Sequence, residues 1–204
     1  MSDAAVSKDS LRVLFMGGGG IPAIEAEYER DHAAGHQLWG LPQLRGKGVD
    51  IDVVGTVDSP ILSRVSARLT PVGFLDQQVS VLLRARRYDV IYSSQYASSA
   101  LLGTLRRVRV LRTPLVGIAF QAPREGWLGR LYATLAISGH DRVICLSRSI
   151  AHYLCADLGV SPDRVEFAGW GFDTDEHSAA RTGPGSSADP PKILSIGYSY
   201  RDFS

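Results

Sequence analysis

Short, continuously apolar runs alternate along this chain with stretches whose apolar residues recur every three or four positions. Residues 11–16 (LRVLFM) form the first run and end on Gly17, Gly18, Gly19 and Gly20, which predicts a buried strand feeding a tight loop. A helical region is expected within 25–46, interrupted by Pro22 and Pro42. Residues 51–57 predict a second strand and 90–92 a third. Between them Leu75, Val79, Leu82 and Leu83 stand at helical spacing within 74–87. The pattern then repeats. Ser98 and Ser99 are candidate caps for a helix reaching 112, followed by a strand at 115–120, a helix at 127–137, a strand at 142–146, a helix at 149–158 and a strand at 165–167.

Alternation of short apolar strands with helices is what a parallel sheet covered on both faces requires. The expected fold class is therefore α/β, a doubly wound, Rossmann-like parallel sheet. Ligands in such sheets bind beyond the carboxyl ends of the strands. That rule selects the loops at 17–22, 58–60, 93–98, 121–126, 147–149 and 169–174, which are rich in Gly, Ser, Gln, Arg and aromatic residues.

The pattern breaks after this series. Residues 181–187 (RTGPGSS) read as a linker, and 192–197 (KILSIG) as a fresh strand. A lone strand has nothing to pair with. The expected organisation is a domain over 1–178, a linker over 179–191, and at 192–204 the first strand of a second domain that is mostly absent.

Composition changes the picture little. With 45% hydrophobic and 21% charged residues the chain resembles an ordinary globular protein, and its formal net charge of +1 gives no global pull towards nucleic acid. Cys145 and Cys155 fit no metal spacing and are expected to be buried, reduced thiols of a cytoplasmic protein. No apolar run approaches the roughly 20 residues of a bilayer span.

The glycine run fails as a dinucleotide fingerprint. Aligned from Gly17, the third glycine of G-x-G-x-x-G falls on Pro22, the acid at Asp58 is misplaced, and no lysine completes a P-loop. It still offers backbone N–H groups to a phosphate or sugar, or serves only as a tight turn. His32 and His36 are four apart, but no carboxylate completes a metal set, and no G-x-S-x-G is present. His36 is of more interest as a polar lining residue. Two arginine groups, Arg84, Arg86, Arg87 and Arg106, Arg107, Arg109, Arg112, are expected to be solvated caps near helix C-termini, with attraction to anionic lipid as the alternative. The stripe Trp127, Leu128, Leu131, Tyr132, Leu135 is expected in the core, with peripheral membrane contact as its alternative.

Several segments, in order, resemble the N-terminal half of GT-B glycosyltransferases, in particular glycosyltransferase family 4. They are residues 12–20, YDVIY at 88–92, DRVICLS at 141–147, ADLGV at 156–160, EFAGWGFDTD at 166–175, and the strand and loop at 192–202. The resemblance implies transfer of a sugar from a nucleotide-sugar co-substrate to a glycan, lipid or small-molecule acceptor, with no metal and no further cofactor. It implies an acceptor-side domain whose partner, the C-terminal domain with its paired glutamates and donor site, lies largely outside this chain. By loop position, Gly19 and Gly20 would offer backbone contacts, and Gln95, Gln121 and Arg124 would bond the acceptor. Ser147, Trp170 and Gly171 would shape the cleft floor. Gln121 stands where many family members carry a histidine; it can hydrogen-bond a hydroxyl but cannot act as a base. No catalytic residue is assigned. A non-catalytic sugar- or partner-binding domain is the alternative.

Overall fold

The computed structural model describes residues 10–18, 20–31, 38–55, 74–121 and 126–169. All lie in one compact unit, Met1–Phe172. The expected linker and the strand at 192–197 lie outside the described residues.

The elements are β1 (Arg12–Met16), α1 (Ile21–Asp31), α2 (Leu41–Gly46), β2 (Asp50–Val54), α3 (Leu75–Arg84), β3 (Val90–Ser93), α4 (Ala100–Arg107), β4 (Leu115–Ala119), α5 (Trp127–Ser138), β5 (Arg142–Cys145), α6 (Arg148–Ala156) and β6 (Val165–Phe167). The six strands form one sheet in the order β2-β1-β3-β4-β5-β6, and every pairing is parallel. This is the doubly wound, Rossmann-like α/β fold.

Strand alternation explains how one sheet builds cores on both sides. In β1, Leu14 and Met16 pack with Val81, Ile91, Leu102 and Leu115. Val13 and Phe15 face the other way, against Ile21, Leu38, Leu41 and Ile51. A third cluster joins Ala119, Val143 and Cys145 to Ala136, Ile137, Ile150 and Leu154 of α5 and α6.

Several expectations need correction. Pro22 and Pro42 do not interrupt a helix; each is the second residue of one, where a missing N–H costs no intrahelical bond. Ser99 stands at the N-cap of α4 without capping it. Its hydroxyl donates to Tyr96 O and meets His140 Nε2 at 3.0 Å. The free N–H groups of α4 are met instead from α3, where Gln78 Oε1 accepts from Leu101 N at 2.8 Å. α4 stops at Arg107 rather than 112, because Arg109 turns to φ 62° and Val110 N bonds back to Leu105 O.

Of the stripe on α5, Tyr132 packs against the core as expected, and the rest does not. Trp127, Leu128, Leu131 and Leu135 are exposed, while Ala133, Ala136 and Ile137 face inward. Small residues win the inner face because α4 and α5 touch backbone to backbone. A Cβ on Gly139 would lie 1.7 Å from Gly103 O, and one on Gly103 would lie 2.4 Å from Ala136 O. Arg106 is likewise no solvated cap. It grips Asp141 through two bonds, Nη2–Oδ1 at 2.7 Å and Nε–Oδ2 at 2.9 Å, and Leu115 N also donates to Asp141 Oδ2. Burial would raise the Asp141 carboxyl, but the Arg106 bonds outweigh it and hold it below the usual range. Cys145 is buried as expected, whereas Cys155 is half-buried.

Candidate functional site

The strand order reverses at β1. The chain leaves β1 towards β2 on one side, and leaves β3 towards β4 on the other. A crevice therefore opens beyond the carboxyl ends of β1 and β3, where ligands of doubly wound sheets bind. The loop after β1 and residues 93–98 after β3 are its two walls.

The first wall is backbone. Gly17 is buried, and a Cβ there would meet Ile21 Cγ1 at 2.5 Å and Phe15 Cε1 at 2.7 Å, so no larger residue fits. Gly18 and Gly20 face open space, and Gly20 takes φ 96°, which favours glycine. The loop then runs into α1, with Gly20 O accepting from Ile24 N at 2.9 Å. A helix N-terminus with bare backbone in front of it suits an anion.

What holds this loop is a residue the sequence reading passed over. Gln77, in the first turn of α3, is 1% exposed. Its amide nitrogen donates to Gly17 O at 2.7 Å and to Val54 O at 2.6 Å, pinning the ends of β1 and β2 together. The signal was present: Gln77 stands at helical spacing from Phe74 and Val81, and Gln78 from Leu75 and Leu82, so both put an amide on an apolar stripe.

The second wall is polar. Ser94 N extends the β3 ladder to Met16 O at 2.9 Å. Ser93 Oγ donates to Gln95 O at 2.8 Å, and Gln95 Oε1 accepts from Ser98 Oγ at 3.2 Å, which fixes the half-buried Gln95 side chain at the crevice rim. Beyond it Trp39 stacks on Phe120 with ring centroids 5.3 Å apart, and Tyr92 Oη donates to Trp39 O at 3.0 Å. Burial drives the Tyr92 hydroxyl far above its ordinary pKa, so it stays a donor. Gln121 follows Phe120 at the end of β4 with an exposed side chain.

Of the expected site residues, Gly20 and Gln95 thus flank the crevice and Gln121 stands one strand further along. Ser147 does not join them. It lies two residues past β5, three strands from β1, roughly 14 Å away at the usual strand spacing, and its hydroxyl is engaged as the N-cap of α6, accepting from Ile150 N at 3.3 Å. Gly19, His36, Arg124, Trp170 and Gly171 lie outside the described residues. No described residue of these carboxyl-edge loops carries a carboxylate or imidazole. The described residues of the edge offer backbone N–H groups, amides, hydroxyls, aromatic faces and the Arg148 guanidinium, groups that bind and orient a ligand. Among the described residues, no group of three or more His, Cys, Asp or Glu could hold a metal ion.

The model of Glycosyltransferase Family 4 matches residues 32–176. The chain belongs to glycosyltransferase family 4. No curated protein matches it. Among solved structures it is similar to Anabaena Alr3699/HepE in complex with UDP, at 18% identity and TM-score 0.47, covering 81% of this chain and 45% of that one. The complexes of the same protein with UDP and glucose and with UDP-glucose match at 19% identity and TM-score 0.47. The chain spans less than half the length of these structures.

Proposed function

We propose that this chain supplies the acceptor side of a sugar transferase that takes its sugar from a nucleotide-sugar donor. In that reaction the acceptor oxygen bonds to the anomeric carbon as the bond from that carbon to the nucleoside diphosphate breaks. The proton of the acceptor hydroxyl passes to the departing diphosphate, so the products are the glycoside and the nucleoside diphosphate. The observation that carries the reading is the family match over residues 32–176. The switch-point crevice supports it, because it presents groups that suit a polyhydroxylated ligand. Gln95 and Gln121 would bond acceptor hydroxyls, and the backbone at Gly18 and Gly20 would lie near the donor phosphates or an acceptor anion. The acceptor is a glycan, a lipid or a small molecule. The free thiols Cys145 and Cys155 support a reducing, cytoplasmic setting.

The test is transfer by the natural-length protein, using radiolabelled nucleotide-sugars against sugar and glycolipid acceptors. Gln95→Ala and Gln121→Ala should each lower kcat/KM while leaving the fold intact. Acceptor binding without transfer from any donor would make the chain a non-catalytic sugar-binding domain instead.

A further inference from the structure

Helix α5 carries an apolar stripe that stands exposed among the described residues. Trp127 is 73% exposed, Leu128 62%, Leu131 50% and Leu135 42%. Their spacing puts them on one ridge, opposite the inward-facing Ala133 and Ala136, and the helix contains no acidic residue. Scattered exposed leucines are ordinary, but four large apolar residues in one helical line are not.

The ridge ends in positive charge. An open basin of about 320 Å³ adjoins its C-terminal end, lined by Ser138, Gly139 and His140 together with Arg106, Arg107, Arg109, Arg164 and Asp141. Four arginines thus face one aspartate, and Arg106 neutralises it. Arg164 donates to the carbonyls of Ile137 and Ser138, holding its charge at the helix end. Arg107 and Arg109 have no acidic partner among the described residues. Between and beside them Val108 and Val110 are 61% and 65% exposed. Arg130 flanks the stripe, its pairing with Asp157 long at 4.0 Å and exposed.

We propose that the outer face of α5, with Arg107 and Arg109 at its end, docks on an anionic lipid bilayer. A convex apolar ridge needs a surface that flows around it, and a headgroup layer does this where a folded partner would need a matching groove. Large apolar side chains reach into the acyl boundary while the arginines meet lipid phosphates. The strength of such binding adds the buried apolar area to the attraction for anionic lipid. The surface lies outside the crevice, so the proposal stands whether or not the transfer reaction does.

The experiment is co-sedimentation of the full chain with phosphatidylcholine vesicles holding about 30 mol% phosphatidylglycerol, where each nearby arginine contributes roughly five-fold. Binding should fall at least about tenfold between about 0.05 and 0.5 M NaCl as the charges are screened. Leu131→Glu with Leu135→Glu should weaken it at least about tenfold, and Arg107→Glu with Arg109→Glu similarly, with melting curves unchanged because all four side chains are exposed. Brominated phosphatidylcholine should quench tryptophan emission, and Trp127→Phe should remove that quenching. Absence of binding at low salt would overturn the proposal. So would binding indifferent to the leucine pair, or a dimer in solution that Leu131→Glu dissolves, which would assign the ridge to a second copy.

Discussion

Replacing Gln77 by leucine keeps its size and removes both of its N–H groups. In the intact protein those groups meet Gly17 O and Val54 O at 2.7 and 2.6 Å, with Gln77 1% exposed and Gly17 and Val54 both buried. Each buried acceptor stripped of its donor costs about 1–3 kcal/mol. Two of them, with part of the loss relieved by local movement, give about 3 kcal/mol. For a domain of this size that is a drop in Tm of roughly 6–12 °C. The glycine loop should loosen too, so kcat/KM for transfer should fall more than the fraction folded does. Glutamate at the same place adds a discriminating readout. Ionised, it would face two carbonyl oxygens, so its proton is retained in the fold to a higher pH than in the unfolded chain. Its stability deficit should then be smallest near pH 4 and grow as pH rises. Thermal melts of both variants across pH decide the matter. A leucine variant melting within about 2 °C of the parent would refute the account of the bridge.

Other outcomes follow from packing and charge. His140 is wholly buried, and burial pushes its imidazole down to about 4 from the ordinary 6.5. The unfolded chain therefore binds the extra proton first, and about 3 kcal/mol of stability should be lost as pH falls from 6.5 to 4, a slope His140→Gln flattens in urea titrations. Gly139→Ala drives a methyl into Gly103 O and should cost about 3 kcal/mol or more in chemical denaturation. Gly46→Ala, whose Cβ would meet nothing within 4 Å, should be neutral or stabilising by about 1 kcal/mol. Gln121→Ala, at an exposed side chain, should shift stability by no more than about 0.5 kcal/mol. The same change should cut kcat/KM in the natural-length protein about five-fold or more, through a lost oriented hydrogen bond.

The fold was largely legible because periodicity is a local signal. The apolar runs read at 11–16, 90–92, 115–120 and 142–146 became β1, β3, β4 and β5. What local pattern could not carry was the identity of the neighbour. The stripe Trp127–Leu131–Leu135 has the spacing of a core face, yet α4 and α5 come so close that no Cβ fits at Gly103 or Gly139. Ser99 looks like a cap, but Gln78 reaches the same N–H groups from a helix twenty-odd residues earlier. At the site, the glycine loop and Gln95 were readable from the rule about strand ends. Gln77 showed only as an amide on an apolar stripe; its partners, 60 and 23 residues away, were beyond a local pattern.

The seam between α4 and α5 has a mechanical consequence. Helices that meet through side chains can shear past one another, since rotamers give way like bearings. Gly103 and Gly139 leave no such bearings, and Tyr132 Oη adds a tie to Ala97 O at 2.7 Å on the same side. The two helices form a single plate. Closure around a ligand at the carboxyl edge then has to come from the loops or from the whole plate swinging, never from one helix sliding along its neighbour.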